Sequence, residues 1–278
     1  TIMKTVIIQM KPTADNDENL AHASRFIAEA AARGSDVAVL PEMFSCPYKA
    51  KNFPLYAQET GGKTYQRLSQ AARQNSIYVI GGSMPERAGG RIYNTSYAFG
   101  RDGALLAAHR KAHLFDCNLP GARFFESETL TAGDAVTTFN TEFGMMGLMI
   151  CFDVRFPLQA AVMQMRGAKA IFCPAAFNMT SGPNWWEVMF RARAIDNQLF
   201  MIGAAPARDE TAAYVAYGNS IVVSPWGTVL ARLGAEEAIL YADIDFAEET
   251  QLREQYHIVS AERELLYTLT DKTGVSVK

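Results

Sequence analysis

The sequence has no apolar run near the roughly 18 residues that a membrane-spanning helix needs, so no membrane partner is expected. It opens TIMKTVIIQM, without the charged segment, long apolar core and small-residue cleavage site of an export signal. It has no linker rich in Gly, Ser or Pro, no low-complexity tract and no internal repeat. One domain over residues 1–278 is therefore expected. Neither sign of charge dominates: 26 Lys and Arg face 29 Asp and Glu, a formal net charge of -3. A basic stripe for nucleic acid and a charged interaction tail are both missing. Cysteine is scarce. Cys46, Cys117, Cys151 and Cys173 form no CxxC pair and no disulfide framework, which points to a reducing cytoplasm. Histidine is equally scarce. The close pair His109 and His113, in HRKAH, lacks the Glu of a zinc-binding HExxH helix, so no metal site is expected.

What remains is a chain 49 % hydrophobic and 20 % charged, the composition of an ordinary globular protein. Strand-like apolar runs alternate with helix-like stretches. Strands are expected at 5–10, 36–41, 76–82, 144–150, 169–174, 199–204, 220–224, 228–233 and 238–244. Helices are expected at 16–32, 63–74, 156–166 and 185–197, with Gly34 and Gly167 as stops and Pro157 in a first turn. Residues 93–99 and 104–110, joined by Gly100-Arg101-Asp102-Gly103, read as a β-hairpin. Nearly continuous apolar strands imply sheets covered on both faces, and the alternation implies a layered α/β fold. Met145, Met146 and Met149 read as strand core, Trp185 and Trp186 as helix packing, and Cys117 and Cys173 as inert thiols.

Three polar residues follow strand-like runs: Glu42 after VAVLP, Lys111 after ALLAAHR and Cys151 after MMGLMI. In α/β sheets, ligands bind beyond the carboxyl ends of strands, so residues far apart in sequence can converge there. Cys151 also precedes a predicted helix, whose N-terminus would favour the thiolate. A carboxylate can take the thiol proton, and an ammonium can stabilise a thiolate or a developing oxyanion. Singly, each residue has a plainer reading: a buried small thiol, a solvated or capping carboxylate, an exposed lysine.

The flanks decide between these readings. LPEMF (40–44), HRKAHLFD (109–116) and GLMICFDVRFP (147–157) closely resemble, in order, the three signatures of the nitrilase superfamily of carbon–nitrogen hydrolases. FNMTSGP, RARAIDNQ, APARDE and YVAYGNSIVVSPWG are most similar to its omega-amidase branch. The resemblance spans nearly the whole chain and puts the family's catalytic residues at Glu42, Lys111 and Cys151. It implies that Glu126, in FFESETLTAGD, orients Lys111 and the substrate amide, and that the backbone N–H of Phe152 helps to hold the oxyanion. It implies a four-layer α-β-β-α sandwich, no cofactor or metal, and a homodimer or higher homo-oligomer packed through the helices after Pro157 and Pro183.

The implied substrate is a small amide: a short dicarboxylate with one end amidated, such as α-ketoglutaramate or succinamate. Its free carboxylate calls for a cation or several donors. Arg155, Tyr48 and Asn178 are candidates. Each also has a structural reading, as an ion pair, a core aromatic and a turn residue respectively. Within the superfamily, hydrolysis of a nitrile, an N-carbamoyl amino acid or deaminated glutathione uses the same three residues. A papain-like peptidase would need a downstream histidine, and only His257 follows Cys151. An inactive scaffold would not need all three residues.

Overall fold

The apolar runs become strands, and the strands stack as two sheets. The computed structural model describes residues 1–119 and 122–259, so the end of the expected 1–278 domain lies outside the described residues. The first sheet runs, in spatial order, Ala238–Asp245, Ile2–Gln9, Val37–Val39, Tyr78–Ile80, Arg91–Phe99, Met84–Ala88 and Gln58–Glu59, with Leu105–Arg110 also paired to Arg91–Phe99. The second runs Thr137–Thr141, Gly144–Leu148, Ala170–Pro174, Phe200–Ala204, Ile221–Val223 and Val229–Arg232. The central strands of each are parallel: Ile7 lies opposite Val39 and Val39 opposite Ile80 in one, Leu148 opposite Phe172 and Phe172 opposite Ile202 in the other. Parallel neighbours require crossovers. The helices Asn16–Ala32, Lys63–Asn75, Pro157–Met165 and Gly182–Asn197 supply them.

Side-chain alternation then sets the layers. Val6 and Ile8 point outward onto Leu20, Ala23 and Ile27 of the first helix. Met3 and Ile7 point inward, where they share a core with Met146, Leu148, Phe172 and Ile202 of the second sheet. On that sheet's far side, Ile171, Met201 and Val223 meet Met163, Trp186 and Phe190. The order is helix, sheet, sheet, helix, the sandwich that the resemblance implied. Because both faces of both sheets are covered, the strands read as continuous apolar runs.

The helix Asn16–Ala32 has the bounds expected for it. Asp15 caps its start by accepting from the Asp17 and Glu18 N–H groups, and Gly34 follows its end at φ +77°. Two starts differ. Gly182–Asn197 begins three residues before Trp185, because Pro183 fits the first turn. The helix expected from 156 begins at Pro157, and a separate 3-10 turn, Cys151–Arg155, comes first. Cys151 therefore opens a short turn rather than an α-helix.

Candidate active site

Each of the three strand-end residues is carried to the same place. Val37–Val39 continues through Leu40 and Pro41 into Glu42. Gly82, at φ +54°, lies so close beneath this turn that a Cβ there would sit 2.1 Å from the Pro41 carbonyl. Lys111 follows Leu105–Arg110; its N–H donates to Asn94 at 2.8 Å and its carbonyl accepts from Gly133 at 2.8 Å. Cys151 follows the strand Gly144–Leu148 of the other sheet and has φ +46°. That left-handed backbone costs a non-glycine residue about 1–2 kcal/mol.

Lys111 is the hub. Its Nζ donates to Glu42 Oε1 and to Glu126 Oε1, both at 2.9 Å, and all three side chains are fully buried. Glu42 Oε1 also accepts from Asn94 Nδ2 at 2.8 Å and from the Tyr48 hydroxyl at 3.3 Å. Its Oε2 accepts from the Ala176 N–H at 2.8 Å. Glu126 takes the Tyr48 hydroxyl at 2.6 Å on Oε1 and the Phe115 N–H at 2.7 Å on Oε2. Buried charges persist only when paired and saturated with hydrogen bonds, as these are. The Ala176 N–H that holds Glu42 also favours the charged form of the Cys151 thiol.

The electrostatics correct one expectation from the sequence. Burial, then the negative field of Glu42, pushes the Cys151 thiol well above its ordinary range, with Lys111 opposing. The field at Cys151 therefore favours the neutral thiol, and the residue opens a 3-10 turn rather than the helix terminus expected to favour a thiolate. Burial works against the Lys111 ammonium, but Glu126 and Glu42 together outweigh it and hold its pKa well above normal. Burial raises the Glu126 carboxyl, against Lys111, and Glu42 raises it further. The arrangement is an ammonium held between two carboxylates, beside a buried thiol. That suits general-base-assisted attack on a carbonyl carbon.

Residues 4–254 match the model of the carbon-nitrogen hydrolase family. The omega-amidase NIT2 of Homo sapiens is 46 % identical over 273 residues, covering 98 % of this chain and 99 % of the relative. That of Bos taurus is 47 % identical over 270 residues, covering 97 % and 98 %. This chain belongs to the carbon-nitrogen hydrolase family. Among solved structures, Saccharomyces cerevisiae Nit3, described as a member of branch 10 of the nitrilase superfamily, superposes with a TM-score of 0.87 at 36 % identity, covering 94 % of this chain and 97 % of that one. The C. elegans NitFhit protein gives 0.87 at 30 % identity, over 98 % of this chain and 67 % of its own. The chain is thus a hydrolase of the nitrilase superfamily that acts on amides.

Two cavities border these residues. One, of about 280 Å³, is bounded by Glu42, Tyr48, Lys11, Lys49 and Tyr214. The other, of about 10 Å³, is bounded by Cys151, Phe152, Arg155, Phe177 and Tyr214. Tyr214 is common to both, stacks 4.4 Å from the Tyr48 ring and donates its hydroxyl to the Ala176 carbonyl. Arg155 shares the small cavity with Cys151. Its guanidinium lies over the rings of Trp185, Phe152 and Phe177 at 4.2, 5.2 and 5.2 Å, and its Nε is buried without a hydrogen bond. Among the described residues no carboxylate pairs with it, so the ion-pair reading of Arg155 does not hold. Tyr48 bonds the two glutamates. Asn178 Oδ1 is engaged in the turn before Gly182–Asn197, accepting from the Thr180 N–H, the Ser181 N–H and the Ser181 hydroxyl at 3.0–3.1 Å. Three site residues were not singled out from sequence. Asn94 opens a polar run, Asn94-Thr95-Ser96, in the middle of the buried strand Arg91–Phe99. Tyr214 opens the family-like segment YVAYGNSIVVSPWG, and the Ala176 amide had no signal.

Proposed function

We propose that this hydrolase removes the terminal amide of short dicarboxylate monoamides, such as α-ketoglutaramate and succinamate, through a thioester on Cys151. The observation that carries the reading is the company kept by Cys151: the saturated Glu42–Lys111–Glu126 cluster on one side, and on the other the unpaired Arg155 cation in the same small cavity. A substrate carboxylate at Arg155 would place the distal amide at the thiol. The omega-amidase name of the curated relatives points the same way.

In this mechanism Glu42 takes the Cys151 proton as the sulfur attacks the amide carbon. The carbonyl electron pair moves onto oxygen, which Lys111 and the Phe152 N–H stabilise; losing one such donor costs about 10²–10³ in rate. Glu42 returns the proton to the amide nitrogen, the C–N bond breaks and ammonia leaves. Glu42 then deprotonates a water that attacks the thioester, and the sulfur departs with the proton. The balance is amide plus water to acid plus ammonia. Glu126 and Tyr48 hold Lys111 and Glu42 in place throughout, and no cofactor enters.

The reading extends to assembly and place. Leu158, Trp185 and Val188, on or beside the first turns of Pro157–Met165 and Gly182–Asn197, are 63 %, 45 % and 56 % exposed, a profile suited to a homodimer formed through these outer helices. All four cysteines are free thiols, which suits a reducing cytoplasm. Among the described residues no helix is long and apolar enough to cross a membrane.

The test is ammonia release from succinamate, with N-carbamoyl-β-alanine, a simple nitrile and deaminated glutathione alongside. Rapid release from succinamate that vanishes in Cys151→Ala is expected. Turnover of another compound with silence on succinamate would overturn the substrate. A folded, active Cys151→Ala would overturn the mechanism.

A further inference from the structure

Cys151 and Lys111 arrive from different sheets, and one carboxylate outside the catalytic cluster joins them. Asp153, two residues after Cys151, is fully buried. Its Oδ2 accepts from the Ile150 N–H at 3.0 Å and lies 2.9 Å from His109 Nε2. Its Oδ1 accepts from the His113 N–H at 3.0 Å and lies 2.8 Å from His113 Nδ1. His109 and His113 are the second residues before and after Lys111. The far nitrogen of His109 is held by Thr137 Oγ1 at 2.9 Å, and the His113 ring stacks on Phe156 at 3.6 Å. Burial alone would raise the Asp153 carboxyl; the hydrogen bonds from His109 and His113 instead hold it well below the carboxylate range.

A buried polar cluster can be no more than a satisfied core. Two observations go further. The Asp153 N–H donates back to the Ile150 carbonyl at 3.0 Å, so Ile150 and Asp153 bracket Cys151 in a closed ring. Within that ring Cys151 keeps its left-handed φ of +46°, a conformation that persists only where its surroundings over-determine it. The same carboxylate grips the Lys111 segment on both sides. We propose that Asp153, with His109 and His113, is a positioning clamp that sets the Cys151 thiol relative to the Lys111 ammonium across the two sheets. The inference rests on Cys151 as nucleophile and Lys111 as oxyanion partner.

The test compares Asp153→Asn, His109→Phe, His109→Gln and His113→Phe with the unaltered enzyme. Ammonia release from succinamate is measured per active thiol, counted by iodoacetamide labelling, together with the thermal midpoint. Loss of a hydrogen bond to a buried charged group typically costs roughly 10–100-fold. Asp153→Asn and His109→Phe are expected to lower kcat by about that factor while KM moves less than about threefold. His109→Gln, whose Nε2 can donate across the same gap, is expected to recover most of kcat. His113→Phe keeps the stack on Phe156 at a partly exposed position, and carries the test if the buried variants do not fold; it should lower kcat with a near-normal midpoint. Normal kcat per active thiol in the folded variants, or an equal loss in His109→Gln and His109→Phe, would overturn the clamp. An active Cys151→Ala would instead sink the nucleophile reading beneath it.

Discussion

Glu126 and Arg155 acquire meaning only from their neighbours. In FFESETLT, Glu126 has no periodicity or spacing that marks it; its place beside Lys111 was implied by resemblance alone, and in the fold both its oxygens are taken up there. Arg155 could be read two ways from sequence, and the fold leaves it caged by rings, with no anion beside it among the described residues. The cage sets the prediction. A guanidinium stacks on flat rings and grips a carboxylate with two parallel N–H groups; an ammonium does neither. Arg155→Lys should raise the KM for succinamate about tenfold or more, the worth of a charge-assisted hydrogen bond. The kcat for an amide without a carboxylate, such as butyramide, should stay within about twofold. Equal kinetics on succinamate would remove Arg155 from the binding site.

Among the elements, legibility followed locality. Asn16–Ala32 could be read to the residue because its cap and its stop are neighbours in sequence. The hairpin Arg91–Phe99 to Leu105–Arg110 was equally local, with Gly103 at φ +80° in its turn. Met84–Ala88 was missed because MPERA carries a proline and two charges; it is a strand only because Arg91–Phe99 pairs with it. Thr137–Thr141, the pair Asp116–Leu119 and Ala122–Phe125, and the helix Phe246–Gln255 were missed too, each polar or mixed in pattern. The 3-10 turn at Cys151 was hidden because apolar and helix-like residues run through it. Backbone demands at strand ends leave a sharper mark. Gly82 combines φ +54° with a carbonyl 2.1 Å from where a Cβ would stand. Gly82→Ala should cost at least about 1–2 kcal/mol, which lowers the thermal midpoint by roughly 2–8 °C in a chain of this size. Because the displaced carbonyl is that of Pro41, activity should fall along with stability. Calorimetry and initial rates check both, and an unchanged midpoint would contradict the geometry.

For the whole molecule, the layered architecture and the meeting of the three strand ends were legible, and the groups that bind them together were not. Continuous apolar strands announce sheets buried on both faces, yet nothing local says that Ala176 will donate to Glu42, 134 positions away in the chain. Burial on this scale has a consequence for pH. Cys46, pushed up to about 12, together with Cys151 and Cys173, stays protonated in the fold well above the thiol's ordinary value of 9.0. The Tyr48 and Tyr214 hydroxyls are likewise raised well above their ordinary value of 10.0 by burial first. Above about pH 9 the unfolded chain therefore releases protons that the native protein keeps. The unfolded state binds fewer protons there, so stability declines as pH rises. The stabilisation is complete below pH 9 and is lost progressively above it. Urea midpoints should be level from pH 7 to 8.5 and drop steadily from pH 9 to 11; a flat profile to pH 11 would refute this.

The division of the site between two sheets also bears on how the enzyme comes into being during folding. Glu42 and Lys111 belong to the first sheet, Cys151 and Ala176 to the second, and the core of Met3, Ile7, Met146, Leu148 and Phe172 is what brings the sheets face to face. On the proposed roles, a chain with either sheet formed alone would hold a base and a cation without a nucleophile, or a nucleophile without its base. Such a half-built molecule can register as β structure to a spectrometer and yet do no chemistry. On the proposed chemistry turnover reports the docking of the two halves, and a chain whose sheets have not met stays silent.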